Sequence, residues 1–304
     1  MDDGSESSFN EHTEIHLSLQ ELDPEPAGFY EYDEKSFLPD SPLLPLWSLP
    51  FGLSNGNGAG RGSIYYLTKL QKYSSYAFTI FASLHVTNTS FIPLLTQSID
   101  ESESYLLLTR PFYQSFPAEL LFIGLPIAVH VTAGIVLRLY KRNINLLRYG
   151  AFCLPISTRL EKRLKVWPHM SWTSLAGYLM IPLVGSHILI NRILPWLYEG
   201  GSSGIGLGYV AHSFAKHPLL ASINYSLMIG LVTSHISWGF CRWKNLIISG
   251  DSQKARRRWW TINSVSAALA LGWIIGGIGV VGRGGRANGW VGNEYDNILR
   301  HLWL

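Results

Sequence analysis

Four histidines carry the chemistry open to this sequence. His85, His130, His187 and His235 each lie inside a long apolar run, well away from its ends. An ionisable ring in hydrocarbon is costly unless it has a partner, and two arrangements provide one. Two histidines facing each other are axial ligands for a haem b, with Gly134 and Gly239 beside them leaving room for its flat edge. Alternatively, each imidazole hydrogen-bonds to a neighbouring helix and fixes packing. No other constellation competes. There is no H-E-x-x-H, no C-x-x-C and no Gly-rich loop set between a strand and a helix, and GGSSGIGLG (200–208) is expected to be a loop between helices. The two cysteines, Cys153 and Cys241, are too few and too far apart for a disulfide framework or a thiolate site. Neither enzymatic activity nor a nucleic-acid partner is expected.

The elements that hold these histidines are membrane spans. Of the 304 residues 47% are hydrophobic and 15% charged, against about 25% charged in an ordinary soluble domain, so the core need not be water-soluble. Five apolar runs are each near the length that crosses a bilayer: Tyr73–Leu95, Phe116–Tyr140, Thr173–Leu197, Leu219–Trp243 and Ile262–Val281. The run Phe116–Arg142 shows the design. His130 sits mid-span with Pro126 and Gly134 one turn to either side on the same face, and Arg138, Lys141 and Arg142 close its basic end.

Charge placement orients the spans. Lys69 and Lys72 precede span one, while Arg148, Arg159, Lys162, Arg163 and Lys165 follow span two, and Lys254, Arg256, Arg257 and Arg258 precede span five. The stretch after span one carries Asp100, Glu101 and Glu103 instead. The basic side, with the N-terminal arm, is therefore expected to face the cytosol, where it also meets anionic lipid. The N-terminal stretch MDDGSESSFNEHTEIHL has neither the basic-then-apolar run of a secretory signal nor the Arg-rich composition of a presequence, so targeting is expected from the spans themselves.

Residues 1–62 are acidic, then Pro-rich, then Gly/Ser/Asn-rich, with no period that buries a core, and a disordered arm is expected. Within it, LQELDPEP gathers Leu19, Leu22, Pro24 and Pro26 into a short apolar stretch that can bind as an extended peptide. A five-span membrane domain is expected over 63–285 and a short tail over 286–304.

The spans repeat. His85 and Pro93 recur as His187 and Pro195, each pair eight residues apart, and His130 with Gly134 recurs as His235 with Gly239. This predicts an all-α integral membrane fold: a duplicated helical hairpin forming a four-helix core, with a fifth helix packed on by the glycines of GWIIG and Gly277. In an up-and-down bundle His85 and His187 share one depth and His130 and His235 another. At about 12 Å from the nearer interface in a core about 30 Å thick, the two layers are close for two haems.

The ordered set HVTAGIVLR (130–138), GYLMIPLVGSHILI (177–190) and RRRWWTIN (256–263) resembles the fungal mitochondrial outer-membrane adaptor family of MDM-complementing proteins, suppressors of lost ER–mitochondria tethering. That resemblance implies a multi-pass outer-membrane adaptor serving lipid homeostasis and lipid transport at membrane contact sites. Its LQELDPEP would be the Pro-x-Pro motif that recruits the bridge-like lipid-transfer protein vacuolar protein sorting-associated protein 13. More remotely, the membrane part is similar to the haem-carrying anchor subunits of succinate dehydrogenase and fumarate reductase. It departs from them in placing histidines on spans one to four.

Overall fold

The computed structural model describes residues 62–148, 167–202 and 204–302. The arm with Leu19, Leu22, Pro24 and Pro26, the basic stretch from Arg159 to Lys165, and Cys153 lie outside the described residues. Every described element is helical, and five helices are long and apolar enough to cross a membrane. They are α1 (Ser63–Thr96), α3 (Leu120–Leu146), α4 (Trp172–Tyr198), α6 (Pro218–Trp243) and α7 (Gln253–Arg283). Three shorter helices join them: α2 (Ile99–Gln114), α5 (Leu207–Lys216) and α8 (Gly289–Arg300).

Local signals set the boundaries. Ser98, Ser171 and Ser252 cap α2, α4 and α7, each side chain accepting from a backbone N–H three residues on. Gln97 and Asn245 end α1 and α6 in left-handed conformations. Proline shapes the interiors. A proline removes one helical hydrogen bond and crowds the turn before it, and a widened π-helical turn relieves both effects. Such turns occupy Thr87–Phe91 before Pro93, Leu120–Gly124 before Pro126, and Leu189–Ile193 before Pro195. The turns in α1 and α4 are 102 positions apart, the same offset as His85 to His187, so the duplication extends to backbone distortion.

Close backbone packing runs between α1 and α3, between α4 and α6, and between α6 and α7. The two hairpins are thus tight within themselves, while side chains bridge from one to the other. Helix α7 crosses α1 at the widened turn: a Cβ at Gly276 would overlap the Ser90 carbonyl oxygen, and one at Gly277 would lie 3.0 Å from the Ser90 hydroxyl. Gly272 meets the Phe91 ring in the same way, at 2.9 Å. The expected glycine packing face of span five is this contact.

Three sequence expectations change. The acidic stretch after span one is the helix α2, and the Gly-rich stretch gives way at Leu207 to α5. The expected tail also forms a helix, α8, which packs Tyr295, Ile298 and Leu299 with Tyr209, Ile205 and Leu194 in one apolar cluster. These helices share one end of the bundle because each follows an odd-numbered span. Polar ties close that end. Buried Arg110 of α2 donates to the carbonyls of Ile205 (2.8 Å) and Ser202. Glu103 accepts from the Leu207 N–H at 2.6 Å, supplying a carboxylate to the otherwise unsatisfied N-terminus of α5. Arg192 of α4 makes a two-pronged pair with Glu119, one bond being 2.6 Å, at the start of α3.

Candidate functional site

The histidines meet in two layers between the hairpins. The rings of His85 and His187 are 5.9 Å apart, and those of His130 and His235 6.0 Å apart, both edge to face. Each layer joins one helix of the first hairpin to one of the second. This arrangement follows from the duplication, because equivalent helices of two like hairpins present equivalent faces at one depth.

Within each hairpin, a backbone carbonyl holds one histidine. His130 of α3 donates from Nδ1 to the Gln71 carbonyl of α1 at 3.0 Å. His235 of α6 donates from Nδ1 to the Thr173 carbonyl of α4 at 2.9 Å. Gln71 and Thr173 are again 102 positions apart. Because a carbonyl only accepts, the proton sits on Nδ1 and the Nε2 lone pair is left bare in both rings.

The other layer is held differently. His85 stacks on Phe81 with ring centres 5.6 Å apart. Asn191 Nδ2 donates to the His187 carbonyl at 2.9 Å and lies 3.3 Å from His187 Nδ1. The second N–H of the same amide faces both His187 Nδ1 and the Tyr225 hydroxyl, each at 3.3 Å, so no backbone carbonyl aims this ring. Thr89, the counterpart of Asn191 in the first hairpin, bonds the His85 carbonyl at 2.8 Å.

The two glycines expected at the centre separate. A Cβ at Gly134 would meet the Gln71 side chain at 2.9 Å, whereas one at Gly239 would meet nothing within 4 Å. The equivalent close contact in the second hairpin comes from Gly177, whose Cβ would lie 3.0 Å from His235 Cε1. Gly177 positions His235 from the opposite helix. It was readable only as one more small residue, because its partner is set by how α4 and α6 meet.

Among the described residues, no group of three or more His, Cys, Asp or Glu side chains is placed to hold a metal ion. The site offers two nitrogen ligands per layer at most.

Residues 182–286 match the family described as the transmembrane domain of MDM10-complementing protein 1. The matched stretch runs from the middle of α4 through α7 and includes His187 and His235. It supports the family resemblance over the second hairpin and fifth helix, and with the five apolar helices it supports a multi-pass membrane protein. No curated protein and no solved structure matches the chain. The remote likeness to the succinate dehydrogenase and fumarate reductase anchors therefore has no support from these comparisons.

Proposed function

We propose that the chain is a mitochondrial outer-membrane adaptor whose N-terminal arm recruits vacuolar protein sorting-associated protein 13, a lipid-transfer protein, to organelle contacts. The observation that carries this reading is the match of residues 182–286 to the MDM10-complementing transmembrane family. The spans anchor the protein and the arm does the binding, so it works without catalysis. In the sequence the arm precedes Lys69 and Lys72 at the start of α1, and the charge rule assigns that basic end to the cytosol, the compartment of a lipid-transfer protein. Leu19 and Leu22 supply apolar anchors three apart, and Pro24 and Pro26 restrict the backbone before binding, so less ordering entropy opposes it.

The test is co-purification of the transfer protein with Pro24→Ala/Pro26→Ala in the full chain. Recruitment should be lost while membrane insertion is unchanged. Undiminished co-purification would overturn the docking role, and an arm resistant to protease in intact mitochondria would overturn the placement.

A further inference from the structure

We propose that His130 and His235 are the two axial ligands of a single haem b held between the hairpins, and that the His85/His187 layer is structural. The proposal goes beyond the adaptor reading and does not depend on it.

The donor set points to this ligand class. Both rings of the pair present an unprotonated Nε2, because a backbone carbonyl takes each Nδ1–H. This is the tautomer a metal requires, and a carbonyl on the far nitrogen is the usual way a ligating histidine is aimed and its basicity raised. A zinc or copper(II) ion takes three or four ligands from the protein, and among the described residues no third candidate joins the pair. Two imidazoles complete the shell of a metal that brings its own equatorial ligands, and a metalloporphyrin is such a metal.

Spacing and space agree. Two imidazoles bound to opposite faces of one iron, with metal–nitrogen bonds of about 2 Å, place their ring centres roughly 6 Å apart. The observed separation is 6.0 Å, and side-chain rotation would turn both Nε2 atoms onto the line between the rings. A plate also needs a slot, and the close backbone packing lies within the hairpins rather than across them. One turn beyond His235, the missing Cβ of Gly239 would meet no atom within 4 Å, and beyond His130 that of Gly134 meets only the movable Gln71 amide. Lys72, next to the residue that holds His130, reaches across to the Trp243 carbonyl at 3.5 Å. It sets a positive charge between the hairpins, which would favour an anionic group bound there.

The second layer has a like ring separation of 5.9 Å but a different donor set. His187 Nδ1 faces the Asn191 amide, and His85 has Phe81 stacked against it. Neither ring has the carbonyl on Nδ1 that marks the first layer.

The experiment titrates the purified full chain in detergent with hemin and follows the Soret region and the reduced α/β bands. The expected result is a six-coordinate, low-spin spectrum saturating at one hemin per chain. His130→Gln or His235→Gln keeps a donor for the carbonyl but removes the ligand, so the low-spin spectrum should be lost and restored by added imidazole. His85→Gln/His187→Gln should keep it. A folded wild-type chain that gives no low-spin spectrum would overturn the proposal, as would a spectrum indifferent to His130 and His235 or one lost equally with the other layer. Should a ligand variant fail to fold, electron paramagnetic resonance of the wild type decides: a low-spin ferric signal of two imidazoles supports the site and a high-spin or thiolate signal overturns it. His130→Gln should leave recruitment of the lipid-transfer protein unchanged, so the two readings fail separately.

Discussion

The membrane spans and the cap formed by α2, α5 and α8 are built by different forces. In the most apolar windows of the five spans only 6–22% of residues are buried. Leu121 and Phe122 of α3 are exposed by 50% and 56%. The cap is the reverse: Leu207 is 2% exposed, and Tyr209 and Ile298 are fully buried. In water, apolar area must be covered, whereas in lipid there is no such drive and helices associate through close backbone approach and polar partners. The spans accordingly meet at Gly276 on Ser90, Gly177 on His235 and imidazoles on carbonyls, while the cap meets through a conventional apolar core.

The largest expected effect tests that contrast. Tyr209→Ala removes a fully buried ring that packs edge-on against Tyr295 and donates to the Ile190 carbonyl at 3.2 Å. Truncating a buried aromatic costs about 3–5 kcal/mol. The same truncation at Phe122, on the lipid side, should change stability by no more than about 0.5 kcal/mol. Thermal unfolding in detergent measures both, and equal losses would mean that the two regions are packed alike.

The next effect sharpens the account of the spans. Gly276→Ala puts a methyl group against the Ser90 carbonyl, a backbone atom that moves only with its helix. Forcing atoms into such a contact costs about 1–3 kcal/mol. Gly134→Ala should cost less, because the flexible Gln71 side chain can turn away. Gly239→Ala should cost nothing from packing. A ranking by yield of monodisperse protein in that order supports small-residue contacts as the main cement of the spans. Equal tolerance at Gly276 and Gly239 would refute it.

What the sequence made legible follows the same division. Spans are long and their histidines, prolines and glycines recur in register, so the duplication, the pairing of His130 with His235 and of His85 with His187, and the glycine face of α7 were readable. The cap helices are harder to see in the sequence, although they leave signals. Ser98 and Glu101 stand in capping-box spacing at the start of α2, but Asp100, Glu101 and Glu103 read equally as loop charges that set topology. Leu207, Val210, Ala211 and Phe214 have helical spacing, yet the preceding glycines masked it. In α8, Val291, Tyr295, Ile298 and Leu299 form one stripe within a stretch short enough to pass for a tail. The exchange of Gly239 for Gly177 is of another kind. Which small residue is touched depends on the partner helix, and one helix alone does not contain that information.

The smallest effect concerns a cap contact that titrates. Asp296 of α8 accepts from Lys216 Nζ at 2.8 Å and from His212 Nε2 at 3.2 Å. His212 Nδ1 accepts the Ala287 N–H at 3.1 Å, so the buried ring donates from Nε2 while neutral. The hydrogen bond from Lys216, and after it that from His212, hold the Asp296 carboxyl below its ordinary value. With the folded-state pKa below the unfolded value of about 3.9, this contact stabilises the cap fully above about pH 4 and loses its effect as pH falls through the folded value. Asp296 is 43% exposed, so solvent and salt screen the contact and the change is modest. Hydrogen exchange across this range should show α8 amides losing protection toward acid while amides of α3 and α6 do not. Asp296→Asn should flatten the α8 profile at its lower level. Identical profiles for wild type and Asp296→Asn would show that apolar burial of Ile298 and Leu299 alone holds α8 in place.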